Sequence, residues 1–303
     1  MNILITGANG FLGSHFCETW KRNNNQIIRL GRSNDNDIIC DLANNIPLFN
    51  QKIDVVIHAA GKAHIVPKTN SEKEDFFNVN LNGTSNLLKG LSKLQNKPKS
   101  FIYISTVAVY GVDTGELIKE NSSLLAKDPY GLSKIQAESL ILEWGKKHNN
   151  LISIIRPPLI IGKNAPGNLL KMIKGIENNK YANIAGGKAR RSMVLAEDIA
   201  DFSSTLINDQ GIFNLTDGYD PNFLELSQLI GKKKSKKVIN IPLFIAKLIA
   251  IFGDTLSFIT RKEMPFSSNK LKKMTSNLTY DISSAKKLGW SPREVLKHSE
   301  IWL

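Results

Sequence analysis

The chain has 303 residues, of which 42% are hydrophobic and 22% charged. That is the make-up of a globular protein with one large domain or two smaller ones, and it excludes wholesale disorder and collagen-like structure. The 40 Lys and Arg against 27 Asp and Glu give a net charge of +13, which raises nucleic acid, an anionic membrane surface or acidic small molecules as partners.

Two cysteines, Cys17 and Cys40, make neither a disulfide framework nor a four-ligand zinc site, and no metal is expected. Met1 runs straight into Asn2-Ile3-Leu4-Ile5 without a charged-then-apolar leader, so a cytoplasmic location is the expectation. Residues 2–6 are a short apolar run closed by glycine, which predicts a buried strand. The glycines Gly7, Gly10 and Gly13 follow, with Phe11 and Leu12 between the last two, and residues 14–22 predict a helix. Further strands are predicted at residues 26–30, 54–58, 101–105 and 151–155, and helices at 76–94 and 130–148. Continuous apolar strands alternating with helices imply a parallel sheet covered on both faces, with right-handed crossovers.

Beyond Arg156 the rhythm breaks. Pro157-Pro158 and the glycines Gly162 and Gly167 mark loops, and residues 193–207 and 212–215 predict one more helix and strand of the sheet. From Asp217 onward the chain predicts mostly helix, with basic loops at residues 231–237 and 261–273. Residues 241–259 are apolar enough to raise a membrane span, but Lys247, Gly253 and Asp254 interrupt them. A charge at mid-bilayer costs roughly 2.5–3.5 kcal/mol. We therefore expect a core-facing amphipathic helix, with membrane-surface contact as the alternative.

Strand, then glycines at 7, 10 and 13, then helix is the arrangement that binds a dinucleotide. The first glycine permits a tight turn, the second lets backbone approach a pyrophosphate, and the third lets the helix pack on the strand. The helix N-terminus then faces the anion with free N–H groups. After the second strand a carboxylate would bind the ribose diol of NAD, whereas an arginine accommodates the extra phosphate of NADP. The chain has Gly31-Arg32-Ser33, with no acid before Asp35, so Arg32 favours NADP over NAD. Asp41 and Leu42 fall where a loop meets the adenine, and Ala59, Ala60 and Gly61 form a strand end of small residues beside the cofactor.

Tyr130 and Lys134 stand four residues apart, on one face of a predicted helix. A lysine ammonium and an oxidised nicotinamide nearby are expected to lower the phenol's pKa, so that it exchanges a proton with a sugar hydroxyl near neutral pH. Thr106 follows the strand 101–105, at the carboxyl end where parallel sheets bind ligands.

Together these residues resemble the extended short-chain dehydrogenase/reductases, the NAD-dependent epimerase/dehydratase group that acts on nucleotide sugars. The resemblance rests on Gly7, Gly10 and Gly13, on Asp41-Leu42, His58 through Gly61 and Asn80, on Ser105 through Gly111, on Tyr130 and Lys134, and on Arg156-Pro157-Pro158 through Gly162. It implies a Rossmann-type doubly wound α/β sheet with a smaller, mainly helical C-terminal substrate domain. Residues 1–162 and 192–216 would bind the dinucleotide, and 163–191 and 217–303 the substrate. It implies a catalytic trio of Thr106, Tyr130 and Lys134, with Asn80 and Pro157 on the nicotinamide side. Thr106, Val107, Tyr130, Asn168 and Arg191 would contact a UDP- or dTDP-sugar. Arg191 is the choice for the diphosphate because guanidinium matches phosphate geometry, with Arg190 as the alternative.

Where dehydratases of this group carry an Asp-Glu pair after the hydroxyl residue, this chain has Val107-Ala108, which argues against dehydration. That leaves reduction of a 4-ketosugar, here a UDP-4-keto-6-deoxy-N-acetylhexosamine, or 4-epimerisation of a UDP-hexose with bound NAD. A regulator that binds a dinucleotide without catalysis would typically have lost Tyr130 or Lys134. No pattern for nucleic-acid binding accompanies the charge. A homodimer through the helices carrying residues 80–94 and 130–148 is a further expectation.

Overall fold

We describe the protein from a computed structural model that covers residues 1–63, 65–260 and 266–303. Residues 261–265 of the predicted second basic loop lie outside the described residues, and from Ser268 on that stretch is not loop but helix, Ser268–Thr275, capped by the Ser267 side chain.

The first strand, β1 (Asn2–Thr6), is followed by α1 (Phe11–Arg22), β2 (Gln26–Gly31), β3 (Ile38–Ile39) and β4 (Val55–His58). Then come α2 (Asn70–Phe76), α3 (Gly83–Ser92), β5 (Ser100–Ile104), α4 (Pro129–His148) and β6 (Leu151–Arg156). After α5 (Asn168–Glu177) and α6 (Ala196–Ser203), the strand β7 (Gly211–Asn214) closes the sheet. Its seven strands are all parallel in the order β7-β6-β5-β4-β1-β2-β3. The order reverses between β1 and β4, so the loops after these two strands diverge and leave a crevice at their carboxyl ends.

Alternation along each strand divides its side chains between two faces, and both are apolar. Ile3, Ile5, Val55, Ile57, Ile102 and Ile155 pack with Phe16 and Trp20 of α1 and Ile199 and Phe202 of α6. Leu4, Ile28, Val56, Phe101 and Tyr103 pack against Leu87 and Leu91 of α3 and Ala137, Ile141 and Trp144 of α4. Burial on both faces is why these strands read as continuous apolar runs.

Two expectations need correction here. The helix predicted at 76–94 starts earlier, where Thr69 and Glu72 form a capping box, and it is interrupted by a π-helical turn over Phe77–Asn82 before α3. The helix predicted at 193–207 is three elements: strand Met193–Leu195 paired with Leu159–Ile161, then α6, then a 3₁₀ turn over Ser204–Asn208. Met193 and Leu195 face one core and Val194 the other, a period of two that a short apolar run conceals.

The C-terminal part adds α7 (Phe223–Lys233), α8 (Leu243–Thr260) and α9 (Ser268–Thr275). Its core joins Leu169, Met172 and Ile176 of α5 to Leu226 and Ile230 of α7, Val295 and Trp302. The expectation that residues 241–259 face the core is overturned: only Ala246, Ala250 and Gly253 of α8 are buried. These small residues, at i, i+4 and i+7, form the face that packs on α9 and on Ile184, so the Leu, Ile and Phe side chains point outward.

Candidate active site

Gly7 has φ +68°, and a Cβ there would sit 2.7 Å from the Ala60 amide nitrogen. The Gly10 amide donates to the Gly7 carbonyl at 2.9 Å. A Cβ on Gly13 would fall on that same carbonyl oxygen, so only glycine lets α1 approach β1 this closely. Gly10 caps α1 without a side chain, and no acidic residue stands in its first turn. The free N–H groups of that turn therefore face a ligand with partial positive charge.

A cleft of about 890 Å³ opens above this turn. Of the residues expected to hold a cofactor, Gly7, Gly10, Arg32, Asp41, Leu42, Ala59, Ala60 and Gly61 line it. Phe11, Leu12 and Gly13 do not, and neither do Asn80, Tyr130, Lys134 and Pro157. Leu12 points into the core and Phe11 packs edge-on against His15, so only their backbone amides can serve an anion. Asn9, Ser33, Asn36 and Lys62 line the cleft without having been predicted. The Asn9 amide donates to Ser33 Oγ at 2.8 Å and to Asp35 Oδ1 at 2.9 Å, and the Asp35 carboxyl, bonded also to Ser33, sits below its usual pKa. Asn9 and Ser33 thus hold the Asp35 carboxylate at the edge of the cleft, which Asp41 and Asp75 line directly. Arg32 has no hydrogen bond or ion pair among the described residues. The glycine cradle, the open helix N-terminus and this unpaired guanidinium fit a dinucleotide.

Behind the cradle runs a polar string of fixed direction. Thr84 Oγ donates to the Asn80 carbonyl at 2.6 Å, which uses its only hydrogen, so His58 Nε2, 2.9 Å away, must donate to Thr84. Burial drives the His58 pKa down to about 3, so the ring is neutral and Nδ1 accepts from Thr6 Oγ at 2.6 Å. Thr6 Oγ in turn accepts the Ala60 amide at 3.2 Å. The string locks the loop after β4 to the π turn that carries Asn80. The Asn80 side chain accepts the Lys62 amide at 2.7 Å and donates to Ser133 Oγ at 2.9 Å.

The catalytic candidates meet at the far side of Gly61. A Cβ on that glycine would lie 3.2 Å from Asn80 Oδ1 and 3.8 Å from Lys134 Nζ. Asp128 caps α4 by accepting the Gly131 amide at 3.0 Å, with Pro129 in the first turn. That start sets Tyr130 and Lys134 on the face toward β5. The Thr106 hydroxyl lies beside the Tyr130 phenol and favours its ionised form, and Thr106 Oγ accepts the Ala108 amide at 3.2 Å. The Val107 amide donates to the Pro157 carbonyl at 3.2 Å, joining the loops after β5 and β6.

Without the nicotinamide, burial governs the electrostatics of the site. Burial pushes the Tyr130 phenol above its usual value of 10; the Thr106 hydroxyl opposes this and Asp128 adds to it. Lys134 does not lower it. Its Nζ donates to the Ile104 carbonyl at 2.6 Å and lies 4.2 Å over the Tyr103 ring, and burial brings its pKa down to about 7 against the charge of Glu138. The protein by itself therefore presents a neutral, proton-bearing phenol.

Glu138 is a functional candidate that the sequence reading missed. It lies one turn beyond Lys134 on α4 and is buried in an ion pair with Arg156, at 3.0 and 2.6 Å. Ser105 Oγ donates to the same carboxylate, and Arg156 continues to the Tyr110 hydroxyl at 3.2 Å and the Glu120 carbonyl at 3.0 Å. The Tyr-x-x-x-Lys-x-x-x-Glu spacing was the available signal.

On the substrate side, Arg191 donates to the carbonyls of Ser276, Lys273 and Arg190, and Arg190 to those of Asp220 and Tyr219 at 2.9 and 2.8 Å. Asn168 is exposed at the start of α5. Among the described residues these three make no contact with the catalytic trio.

A glycine-cradled cleft at the switch point of a parallel sheet, with Thr106, Tyr130 and a buried Lys134 gathered beyond Gly61, defines a dinucleotide-dependent oxidoreductase of the α/β class. Residues 3–215 match the model of the NAD dependent epimerase/dehydratase family. The chain belongs to that family of nucleotide-sugar epimerases, dehydratases and reductases, and uses NAD or NADP.

Among curated proteins it is 28% identical to an N-acetyl-alpha-D-glucosaminyl-diphospho-ditrans,octacis-undecaprenol 4-epimerase of Escherichia coli O157:H7, over 95% of this chain and 90% of that protein. It is 26% identical to a UDP-glucose 4-epimerase of Vibrio cholerae, over 98% and 92%. Among solved structures, a UDP-glucuronic acid 4-epimerase of Bacillus cereus in complex with UDP-glucuronic acid and NAD shares the fold, with TM-score 0.76 and 21% identity over 99% of this chain and 97% of that one.

Proposed function

We propose that this chain reduces a UDP-linked (or dTDP-linked) 4-keto-6-deoxy-N-acetylhexosamine at C4, with NADPH, in the cytoplasm, as a step toward a surface polysaccharide. The observation that carries the reading is the placement of Tyr130 and Lys134 of α4 beside Thr106 at the Gly61 end of the cleft, where burial favours a proton-bearing phenol, because reduction of a ketone needs a proton donor at the carbonyl oxygen. The reduced nicotinamide, when bound, supplies the hydride. Tyr130 gives its proton to O4 as negative charge develops there, and Thr106 shares the hydrogen bond to that oxygen. Lys134, with a pKa of about 7, is held at the Ile104 carbonyl next to Gly61, on the cofactor side of the site. Arg32, unpaired at the end of β2, supports NADPH over NADH. Val107 and Ala108 offer no acid or base for loss of water across C5 and C6.

A second reading is 4-epimerisation with a retained NAD, favoured by the 4-epimerase activities named for both curated relatives. The separating experiment supplies the purified protein with NADPH and the UDP-4-ketosugar. Stoichiometric loss of NADPH with formation of the 4-hydroxy sugar is expected. Interconversion of UDP-GlcNAc and UDP-GalNAc without net cofactor change would reject reduction in favour of epimerisation.

A further inference from the structure

We propose that α8 docks on the surface of an anionic lipid bilayer, with its outward apolar side chains inserted at the headgroup boundary. The helix is amphipathic in the wrong sense for a water-soluble protein. Its buried positions are Ala246, Ala250 and Gly253, whereas Phe244, Leu248 and Phe252, four residues apart on one stripe, are 65%, 65% and 69% exposed, and Phe258 is 87% exposed. A helix on a soluble surface puts such residues inward and polar ones outward. A contiguous apolar face of this kind marks an interaction site.

The charge around the face selects the occupant. Lys247 lies within the apolar helix, α9 beside it carries Lys270, Lys272 and Lys273, and residues 232–237 before it hold five lysines. Lys234 and Lys273 serve ion pairs with Glu177 and Asp113, and Lys270 also has a partner, but from residue 232 to 275 Lys and Arg far outnumber Asp and Glu, so the segment is cationic. A second copy of this chain would bring the same lysines against themselves. A bilayer with anionic headgroups offers apolar depth and negative charge together, and lysine stems can lie along the apolar boundary with their ammonium groups among the phosphates.

The helix lies on the membrane rather than crossing it. Its 18 residues measure about 27 Å at the α-helical rise, just short of a hydrocarbon core of about 30 Å. One whole face is committed to Ile184 and to Leu271 of α9, and Asp254 accepts the Ser268 amide at 3.2 Å. Because the carbonyls of Lys273 and Ser276 also hold Arg191, docking of α8 places the Arg190-Arg191 loop one helix away from the bilayer. The inference stands on α8 alone and does not depend on the direction of the C4 chemistry.

The test is flotation of the full chain with vesicles of phosphatidylcholine alone and of phosphatidylcholine mixed with phosphatidylglycerol. The wild type is expected to float with the mixed vesicles and to lose most of that binding without phosphatidylglycerol or at high salt. Phe244→Ser with Leu248→Ser and Phe252→Ser is expected to reduce partition at least about 100-fold, with cofactor binding intact by thermal shift. Where that variant does not fold, Phe258→Asp reads the same face. Wild type that stays in the bottom fraction overturns the proposal, as does either variant floating like wild type. A wild-type dimer that the triple variant converts to monomer assigns the face to a second copy of the chain instead.

Discussion

Glu138→Gln removes one negative charge from the interior and leaves the Arg156 guanidinium, 2% exposed, without a counter-ion. Breaking a buried pair on one side costs about 3–5 kcal/mol, because the remaining charge can neither find water nor neutralise itself. At roughly 2 °C per kcal/mol for a large chain, the Tm is expected to fall by roughly 6–10 °C. Replacing both partners, Glu138→Leu with Arg156→Met, is expected to recover part of that loss, short of the full amount because Ser105 and Tyr110 lose their partners. The same substitution acts on Lys134, since Glu138 is the charge that opposes its desolvation. The folded Lys134 releases its proton near pH 7, whereas the unfolded one holds it to about 10.5, so its contribution to stability rises with pH between these values. Without Glu138 that rise begins at lower pH. Urea unfolding followed by circular dichroism across pH 6 to 10 measures both effects. A Glu138→Gln protein within about 1 kcal/mol of wild type, or a pH profile that does not move, would falsify the assignment of this pair.

Three further outcomes are expected. Tyr130→Phe removes the proton donor and should lower kcat by about 10²–10⁴ while cofactor affinity, read by fluorescence titration, stays unchanged; near-normal turnover removes Tyr130 from the mechanism. Arg32→Ala should cut the preference for NADPH over NADH by about 10- to 100-fold, the worth of a charge-assisted phosphate contact, and an unaltered ratio of the two affinities excludes Arg32 from cofactor choice. His58 is held neutral down to about pH 3 when folded but takes a proton near 6.5 when unfolded, so the stability it contributes is complete above pH 6.5 and is lost as the pH falls. Between pH 6.5 and 5 wild type should lose roughly 2 kcal/mol more than His58→Asn; equal slopes in urea unfolding show that the buried ring is not the cause.

The amino-acid sequence determines much of this protein unaided. Buried parallel strands announce themselves as unbroken apolar runs, and the tight turns at Gly7 and Gly13 exclude any side chain, so these elements carry their three-dimensional meaning in local composition. The four-residue spacing of Tyr130 and Lys134 likewise needs only helical periodicity. What tertiary structure decided are properties that depend on neighbours distant in the chain. The π turn at Phe77–Asn82 exists in a context where Asn80 reaches Lys62 and Ser133. The pKa of Tyr130 is raised by burial against the pull of the Thr106 hydroxyl, which spacing cannot reveal. Glu138 became significant only when Arg156, a strand away, closed on it. The orientation of α8 was misread because an apolar helix has two ways to pack: by its large side chains, as the hydrophobic effect in water favours, or by its small ones, as Ala246, Ala250 and Gly253 do. Which face touches the protein is fixed by the shape of α9 and the turn beside it, and a pattern of residues along one chain contains no information about that shape.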